Sequence, residues 1–404
     1  MPIDTGDTAF MLVSTALVML MTVGLAFFYG GLVRRKNVLA IMMQSFAAFG
    51  VVTAVWVLVG YSFVFGDDRS GVIGSLQYAG LVGVGAAAHP RYGLTIPALV
   101  FMAFQLMFAV ITPALITGAF ADRMRFSRYL MFIAIWILAV YVPLAHWVWG
   151  GGFLAQLGVI DFAGGYVVHM SAGFSALATV FVFRPRRVSA GESVAPHNVP
   201  YVALGAGLLW FGWFGFNAGS ALAANGVAAF AFVNTMLGGS FALLAWMGVN
   251  WAMDGKPTAT GAITGSIAGL AAVTPASGFV APWAAVIIGI LAGAGCYAAT
   301  KFRARRKWDD SLDVWACHGV GGTIGVLATG AFADPGVNGP AGLVFGGIDL
   351  FLKQAGAAVL VAVFAFGVTY VILRIMNRVS PIQVPEGTEG SGLDRGEHGE
   401  AAYD

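Results

Sequence analysis

The sequence predicts an all-α polytopic membrane protein, and three observations carry that expectation. Charged side chains make up only 10% of the 404 residues, against roughly 25% in a soluble globular chain, so a water-facing shell cannot be built. Apolar residues reach 59% before glycine is counted, and 56 glycines supply positions where helices can approach closely. The apolar residues fall in long stretches separated by short basic loops, the pattern of helices bundled in lipid. The net charge of +2, from 21 basic and 19 acidic residues, offers no basic face for a polyanion, so nucleic acid is not expected as a partner. Both cysteines, Cys296 and Cys317, lie in apolar stretches, which speaks against a disulfide framework.

A hydrocarbon layer of about 30 Å takes about 20 helical residues to cross. Eleven segments meet or approach that length: 9–30, 39–66, 97–120, 127–148, 161–183, 198–217, 227–252, 258–274, 279–300, 312–333 and 349–377. The eighth is short and rich in Gly and Thr. Residues 257–300 nevertheless carry no charge and are long enough for two crossings, with Pro275 and Gly278 as breakers between them. With the N-terminus outside, eleven crossings put 18 of the 21 cations in inner loops and in a cytoplasmic C-terminal tail. Only Arg69, Arg91 and Lys353 are then left outside, as the positive-inside rule asks. Removing the eighth helix alone would send the basic run 301–307 to the opposite face from Lys256. The first segment ends in GGLVRRKN and not in a small-residue cleavage site, so it is expected to be a retained span. The chain thus divides into a transmembrane domain, 1–378, and a polar tail, 379–404. Small residues repeat at four-residue spacing in Gly215 and Gly219, in Gly261, Gly265 and Gly269, in Gly289 and Gly293, and in Gly321 and Gly325, as helix packing in lipid requires.

An ionisable group deep in lipid costs at least about 2.5 kcal/mol, so the few that occur are informative. Asp161 opens the fifth segment, with His169 eight residues on; Asp313 opens the tenth, with His318 five residues on. The fifth segment enters from outside and the tenth from inside, which brings both histidines toward the midplane from opposite faces. The arrangement suggests a five-plus-five inverted repeat, an architecture that places a conduction site between its halves. A single buried histidine can simply be satisfied by a carbonyl. Two in this arrangement point to a pore-lining pair able to share a proton and hydrogen-bond a small molecule. Asp161 and Asp313 each suit the N-terminus of a helix, where a carboxylate caps free amides. Aromatic residues form a second cluster: Phe104 and Phe108 lie on one helix face, and Trp149 and the run from Trp210 to Ser220 mark helix ends. Any one Trp there suits an interfacial belt. Together, ring faces and the Ser220 hydroxyl suit a cation-selecting mouth.

The motifs DFAGGYVVHMSAG, WFGWFGFNAGSALAANGVAAFAFVNT, AHWVWGGG and DVWACHGVGGTIG resemble, in order, the pore motifs of the ammonium transporter family (Amt/Mep/Rh), and specifically its bacterial Amt branch. The resemblance runs from FFYGGLVRRKN to the tail, with Tyr166, Ala316 and Cys317 as local departures. It implies a transporter and not an enzyme, in the inner (cytoplasmic) membrane, as a homotrimer with a pore in each subunit and with no cofactor or metal. It further implies that Phe108, Trp149 and Ser220 form an ammonium recruitment site, that Phe108 and Phe216 form a phenyl gate, and that His169 and His318 are the paired pore histidines. Asp161 would be an essential acid acting mainly through structure. GLDRGEHGEAAYD is similar to tails that bind a PII-type nitrogen regulatory protein, whereas composition alone suggests a solvated end. The expected substrate is ammonium or ammonia, with methylammonium as analogue. Ammonium arrives as a cation, because amines titrate well above pH 7, and is expected to lose its proton before the apolar pore. Whether that proton follows along the histidine pair or stays outside is open in the sequence. Two rivals remain: axial ligation of a haem by His169 and His318, and an ammonium sensor, for which the tail leaves room only for a separate partner.

Overall fold

A computed structural model describes residues 2–188 and 192–403. The described residues are helical almost throughout, with one short hairpin among them, β1 (Asp68–Arg69) and β2 (Ile73–Gly74). Among the described residues, eight helices are long and apolar enough to cross a membrane: α1 (Thr5–Leu32), α2 (Arg35–Phe65), α3 (Ala98–Ala119), α4 (Phe126–Gln156), α6 (Val199–Gly219), α7 (Gly226–Asp254), α9 (Pro282–Arg305) and α11 (Ile348–Val379). Three shorter ones complete the bundle: α5 (residues 165–180), α8 (Ala259–Val273) and α10 (residues 315–332). The Gly- and Thr-rich segment is therefore a helix, and the chain breaks between α8 and α9 where Pro275 and Gly278 stand.

Polar caps start several of these helices. Asp4, Asn198, Asn225 and Thr258 each accept a backbone N–H from the first turn of α1, α6, α7 and α8, supplying partners for amides that lipid cannot satisfy. Glycine sets how closely the helices pack. A Cβ on Gly205 of α6 would stand 2.1 Å from the backbone nitrogen of Phe28 on α1, and one on Gly269 of α8 would stand 2.3 Å from the carbonyl oxygen of Gly238 on α7. Small residues thus let backbone meet backbone where no hydrophobic force drives helices together. Large apolar side chains such as Leu58, Val359 and Val363 remain exposed along the sides of the bundle, as a lipid-facing surface requires.

The basic loops meet at one face. Arg34 donates to Asp122 at 2.9 Å, Arg123 and Arg186 share Asp309, and Lys301 pairs with Asp254. The tail lies on this same face and is not a solvated end. Ile382 and Val384 pair with the backbone of Arg123 and Arg125, after which α12 (Glu386–Ser391) and α13 (Leu393–His398) pack against the loops. The Glu389 carboxylate is fully buried against Arg184 at 2.5 Å, and Asp394 accepts the amide of Ala40 at 2.8 Å. Gly and Glu lower the hydrophobicity of the tail, but its acids find arginine and amide partners that composition cannot reveal.

One capping expectation is corrected. Asp161 does cap α5, but the carboxylate at the start of α10 is Asp310, which accepts Val314 N at 3.1 Å and Trp315 N at 2.8 Å. Asp313 instead turns toward Arg303 at 2.5 Å, on a backbone with φ of 58°. A residue held in that left-handed conformation is not placed to cap the turn that follows it. Asp310 stands eight residues before His318, the same spacing as Asp161 to His169.

Candidate functional site

α5 and α10 cross on bare backbone. A Cβ on Gly173 would lie 2.0 Å from the backbone nitrogen of Gly319, so any side chain at 173 would force the helices apart. This crossing carries His169 and His318 side by side, 1% and 4% exposed. Their Nδ1 atoms are 3.3 Å apart and the rings stack at 5.3 Å with 15° between planes. One Nδ1 must carry the hydrogen and the other the lone pair. The two rings are therefore opposite tautomers when neutral, one presenting Nε2 as acceptor and the other presenting Nε2–H as donor. Trp213 stacks on His169 at 5.5 Å and is fixed by its Nε1 donating to Thr274 Oγ1 at 2.8 Å. The Nε2 of His169 is buried with no protein partner. A macrocycle plane does not fit between rings whose nitrogens are this close, which removes the haem reading.

Above His169, Phe216 stacks on Phe108 at 4.1 Å, and Trp149 meets Phe108 edge-on at 5.9 Å. Phe108, Trp149 and Ser220 line one cavity of about 250 Å³, which Phe65, Tyr92 and Phe101 complete. Phe104 packs against Phe108 at 4.9 Å. Beyond the Phe108–Phe216 stack, Phe216, His169 and His318 border a slot of about 10 Å³ walled by Leu, Ile, Val and Met side chains, room for about one water. His318 also borders a third space of about 200 Å³, with Ser311, Asp313 and Cys317 in its wall. The aromatic cavity thus meets the apolar slot across the Phe108–Phe216 stack, and the slot shares His318, Phe28, Tyr29 and Ile267 with the polar cavity.

Asp161 joins the aromatic cavity to the histidines without lining the slot. Its carboxylate accepts Gly164, Gly165 and Tyr166 amides at 2.8, 2.7 and 2.8 Å, and its carbonyl accepts the Trp149 indole N–H at 2.9 Å. Both helices open in a wide π-turn, Gly165–Met170 in α5 and Trp315–Val320 in α10, which rotates each histidine away from a regular helical register. Sequence reasoning missed Phe65, Tyr92, Phe101 and Asp310. Phe101 was detectable, because 101, 104 and 108 follow the i, i+3, i+7 spacing of one helix face. Asp310 was detectable through its repeated eight-residue spacing to histidine.

Comparison with known proteins decides the family. The Ammonium Transporter Family matches residues 9–403. The chain belongs to that family. It is 49% identical over 402 residues to an ammonium transporter of Bacillus subtilis, covering 98% of both chains. It is 46% identical over 398 residues to ammonium transporter Amt1 of Archaeoglobus fulgidus, covering 98% of this chain and 99% of that one. Among solved structures it resembles Saccharomyces cerevisiae Mep2, with a TM-score of 0.89 at 34% identity over 95% of this chain and 91% of that one. It also resembles a protein described as a sensor Amt protein, with a TM-score of 0.89 at 29% identity over 97% and 98%. The protein is a multi-pass membrane transporter of ammonium, not an enzyme.

Proposed function

We propose that ammonium binds as a cation in the aromatic cavity, sheds its proton there, and passes as ammonia between Phe108 and Phe216 and along the two imidazoles to the polar cavity. The observation that carries this is the Nδ1 to Nδ1 contact of 3.3 Å beside a slot only about 10 Å³ in volume. A bare cation entering so apolar a slot would pay at least about 2.5 kcal/mol, whereas ammonia can donate to one Nε2 and accept from the other. Ring faces of Phe108 and Trp149 with the Ser220 hydroxyl suit the recruitment step, since desolvated cation–π contacts contribute about 2 kcal/mol. The histidine hydrogen bond also offers the released proton a path, which makes net ammonium transport electrogenic. Ammonium-dependent current across liposomes carrying the purified protein tests this; no charge movement would eliminate it. Uptake of labelled methylammonium by His169→Ala, His318→Ala and Trp149→Leu tests the site itself.

The same reading treats the eight long helices and α5, α8 and α10 as eleven crossings of the cytoplasmic membrane in a five-plus-five inverted repeat. The N-terminus lies outside and the C-terminus inside. The close packing of α1 on α6 and the matching Asp161–His169 and Asp310–His318 pairs support the repeat. The exposed apolar flank suits a homotrimer. The tail 379–404, folded against the basic loops, suits a dock for a PII-type regulatory protein. Deleting residues 382–404 is expected to leave the membrane span intact and weaken pulldown of that partner; unchanged capture would refute the assignment.

A further inference from the structure

Two further buried histidines, His89 and His146, lie outside the slot. His146 on α4 is fully buried three residues before Trp149, and both its ring nitrogens face acceptors. Its Nδ1 is 2.7 Å from the carbonyl oxygen of Val64, and its Nε2 is 2.9 Å from Asp68 Oδ1. A carbonyl oxygen can only accept, so Nδ1 carries a hydrogen. A neutral ring would then turn the bare lone pair of Nε2 on a carboxylate oxygen. The contact is satisfied only when the pair holds one proton more than neutral histidine and ionised aspartate supply.

We propose that His146 and Asp68 are a proton-holding latch that positions the wall of the aromatic cavity. The inference rests on the reading of that cavity as the ammonium-binding mouth. Val64 precedes Phe65, which lines the cavity from α2, and His146 belongs to the turn that ends at Trp149. β1 carries Asp68, and its hairpin is stitched to the same region of α4. The Trp147 indole donates to the Val72 carbonyl at 2.9 Å, and the amide of Phe153 donates to the Gly71 carbonyl at 2.9 Å. The latch therefore spans the two walls that hold Phe65 and Trp149. Asp68 is the ionisable group facing His146. Its own shell consists of the Gly71 amide and, at 3.4 Å, Gln156 Nε2, while Asp67 next to it pairs with Arg91 at 3.1 Å. The hydrogen bond to His146 holds the Asp68 carboxyl below its ordinary range, so the extra proton resides on the imidazole. Raising the pH removes that proton, sets Nε2 against the carboxylate and loosens the mouth.

Glutamine at 146 and asparagine at 68 distinguish this role from packing, because each replaces the proton-dependent contact by an amide N–H that persists at every pH. Half-saturating methylammonium, calculated as the cation, is measured for uptake into proteoliposomes between pH 6 and 9. The wild type is expected to weaken as pH rises, while His146→Gln and Asp68→Asn give flat profiles near its low-pH value. Asp68→Ala, which has no group to offer, is expected to weaken roughly ten- to a hundredfold at low pH, the size of one lost charge-assisted hydrogen bond, with maximal rate less affected. ¹⁵N spectra of labelled histidine are expected to show His146 protonated on both nitrogens at pH 6. A singly protonated ring there, or the same pH profile in wild type and His146→Gln, would overturn the latch alone. An unchanged half-saturation in Trp149→Leu would overturn the reading of the cavity on which it rests.

Discussion

The starts of α5 and α10 are two versions of one device. In each, an aspartate caps the helix, a π-turn follows, and a histidine stands eight residues after the acid. Their surroundings differ. Asp161 is enclosed by amides and holds the Trp149 indole through its carbonyl, so the cap and the aromatic cavity form one piece. Asp310 is also buried, but it stands beside the Asp313–Arg303 pair, next to a polar cavity whose wall holds Ser311, Asp313 and Cys317 along with the tilted rings of Phe28 and Tyr29. The shared scaffold places the imidazole pair, and under the proposed function the surroundings of each cap set what its mouth binds. In the proposed function, rings select a cation at one end and polar groups receive ammonia at the other.

The most severe way to break both halves at once is to separate them. Gly173→Ala puts a Cβ into the backbone of Gly319 and is expected to cut methylammonium uptake at least roughly tenfold, as misplacement by about an ångström does in other sites. Gly207→Ala, where a Cβ meets nothing within 4 Å, is the control expected to transport normally. Equal uptake by the two variants would show that the crossing does not set the histidine distance.

Next in size is the contrast between the caps. Asp161→Ala strands three buried amides at the start of the helix whose carbonyl at 161 holds Trp149, each lost partner costing about 1 to 3 kcal/mol. It is expected to abolish most uptake, with Asp161→Asn partly restoring it. Asp310→Ala strands two amides away from the rings and is expected to lose less. The reverse order, read from uptake at matched protein levels, would contradict the comparison.

Removing the aromatic face alone sharpens it further. Trp149→Leu is expected to raise half-saturating methylammonium about three- to thirtyfold through loss of a cation–π contact of about 0.5 to 2 kcal/mol. The equivalent loss at the other end, Ser311→Ala, is expected to leave half-saturation within about twofold, because the hydroxyl is spent on long contacts with Arg123 and the carbonyls of Ala119 and Ala121.

The smallest effect is one of pH on stability. Burial, and then the neighbouring Asp313 charge, push the Asp310 carboxyl up from 3.8 to about 6. The folded state thus binds this proton more tightly than the unfolded chain, so its contribution to stability is present at low pH and is lost as pH rises from about 4 through 6. Melting temperature in detergent is expected to fall across that window in the wild type, and the fall is expected to be shallower in Asp310→Asn. Parallel curves would show that Asp310 is not responsible.

Much of this bundle was legible because lipid leaves few options. Spans must be about 20 apolar residues, and the absence of charge over 257–300 was enough to anticipate both α8 and α9. The histidines were legible because ionisable groups in such spans are rare. The Asp310 cap was hidden by Asp313, which lies closer to the apolar run but is drawn away by Arg303. The order of the tail was hidden because it depends on arginines more than 190 residues away in sequence, such as Arg184 for Glu389. The His146–Asp68 contact was illegible for the same reason, since 78 residues separate its partners.

The central claim is that paired imidazoles pass the substrate as ammonia and carry its proton. Ammonium-driven current and substrate accumulation recorded together on proteoliposomes of wild type, His169→Ala and His318→Ala test it most directly. The account predicts both signals in the wild type and loss of the current in each variant. Undiminished current in both variants would contradict it.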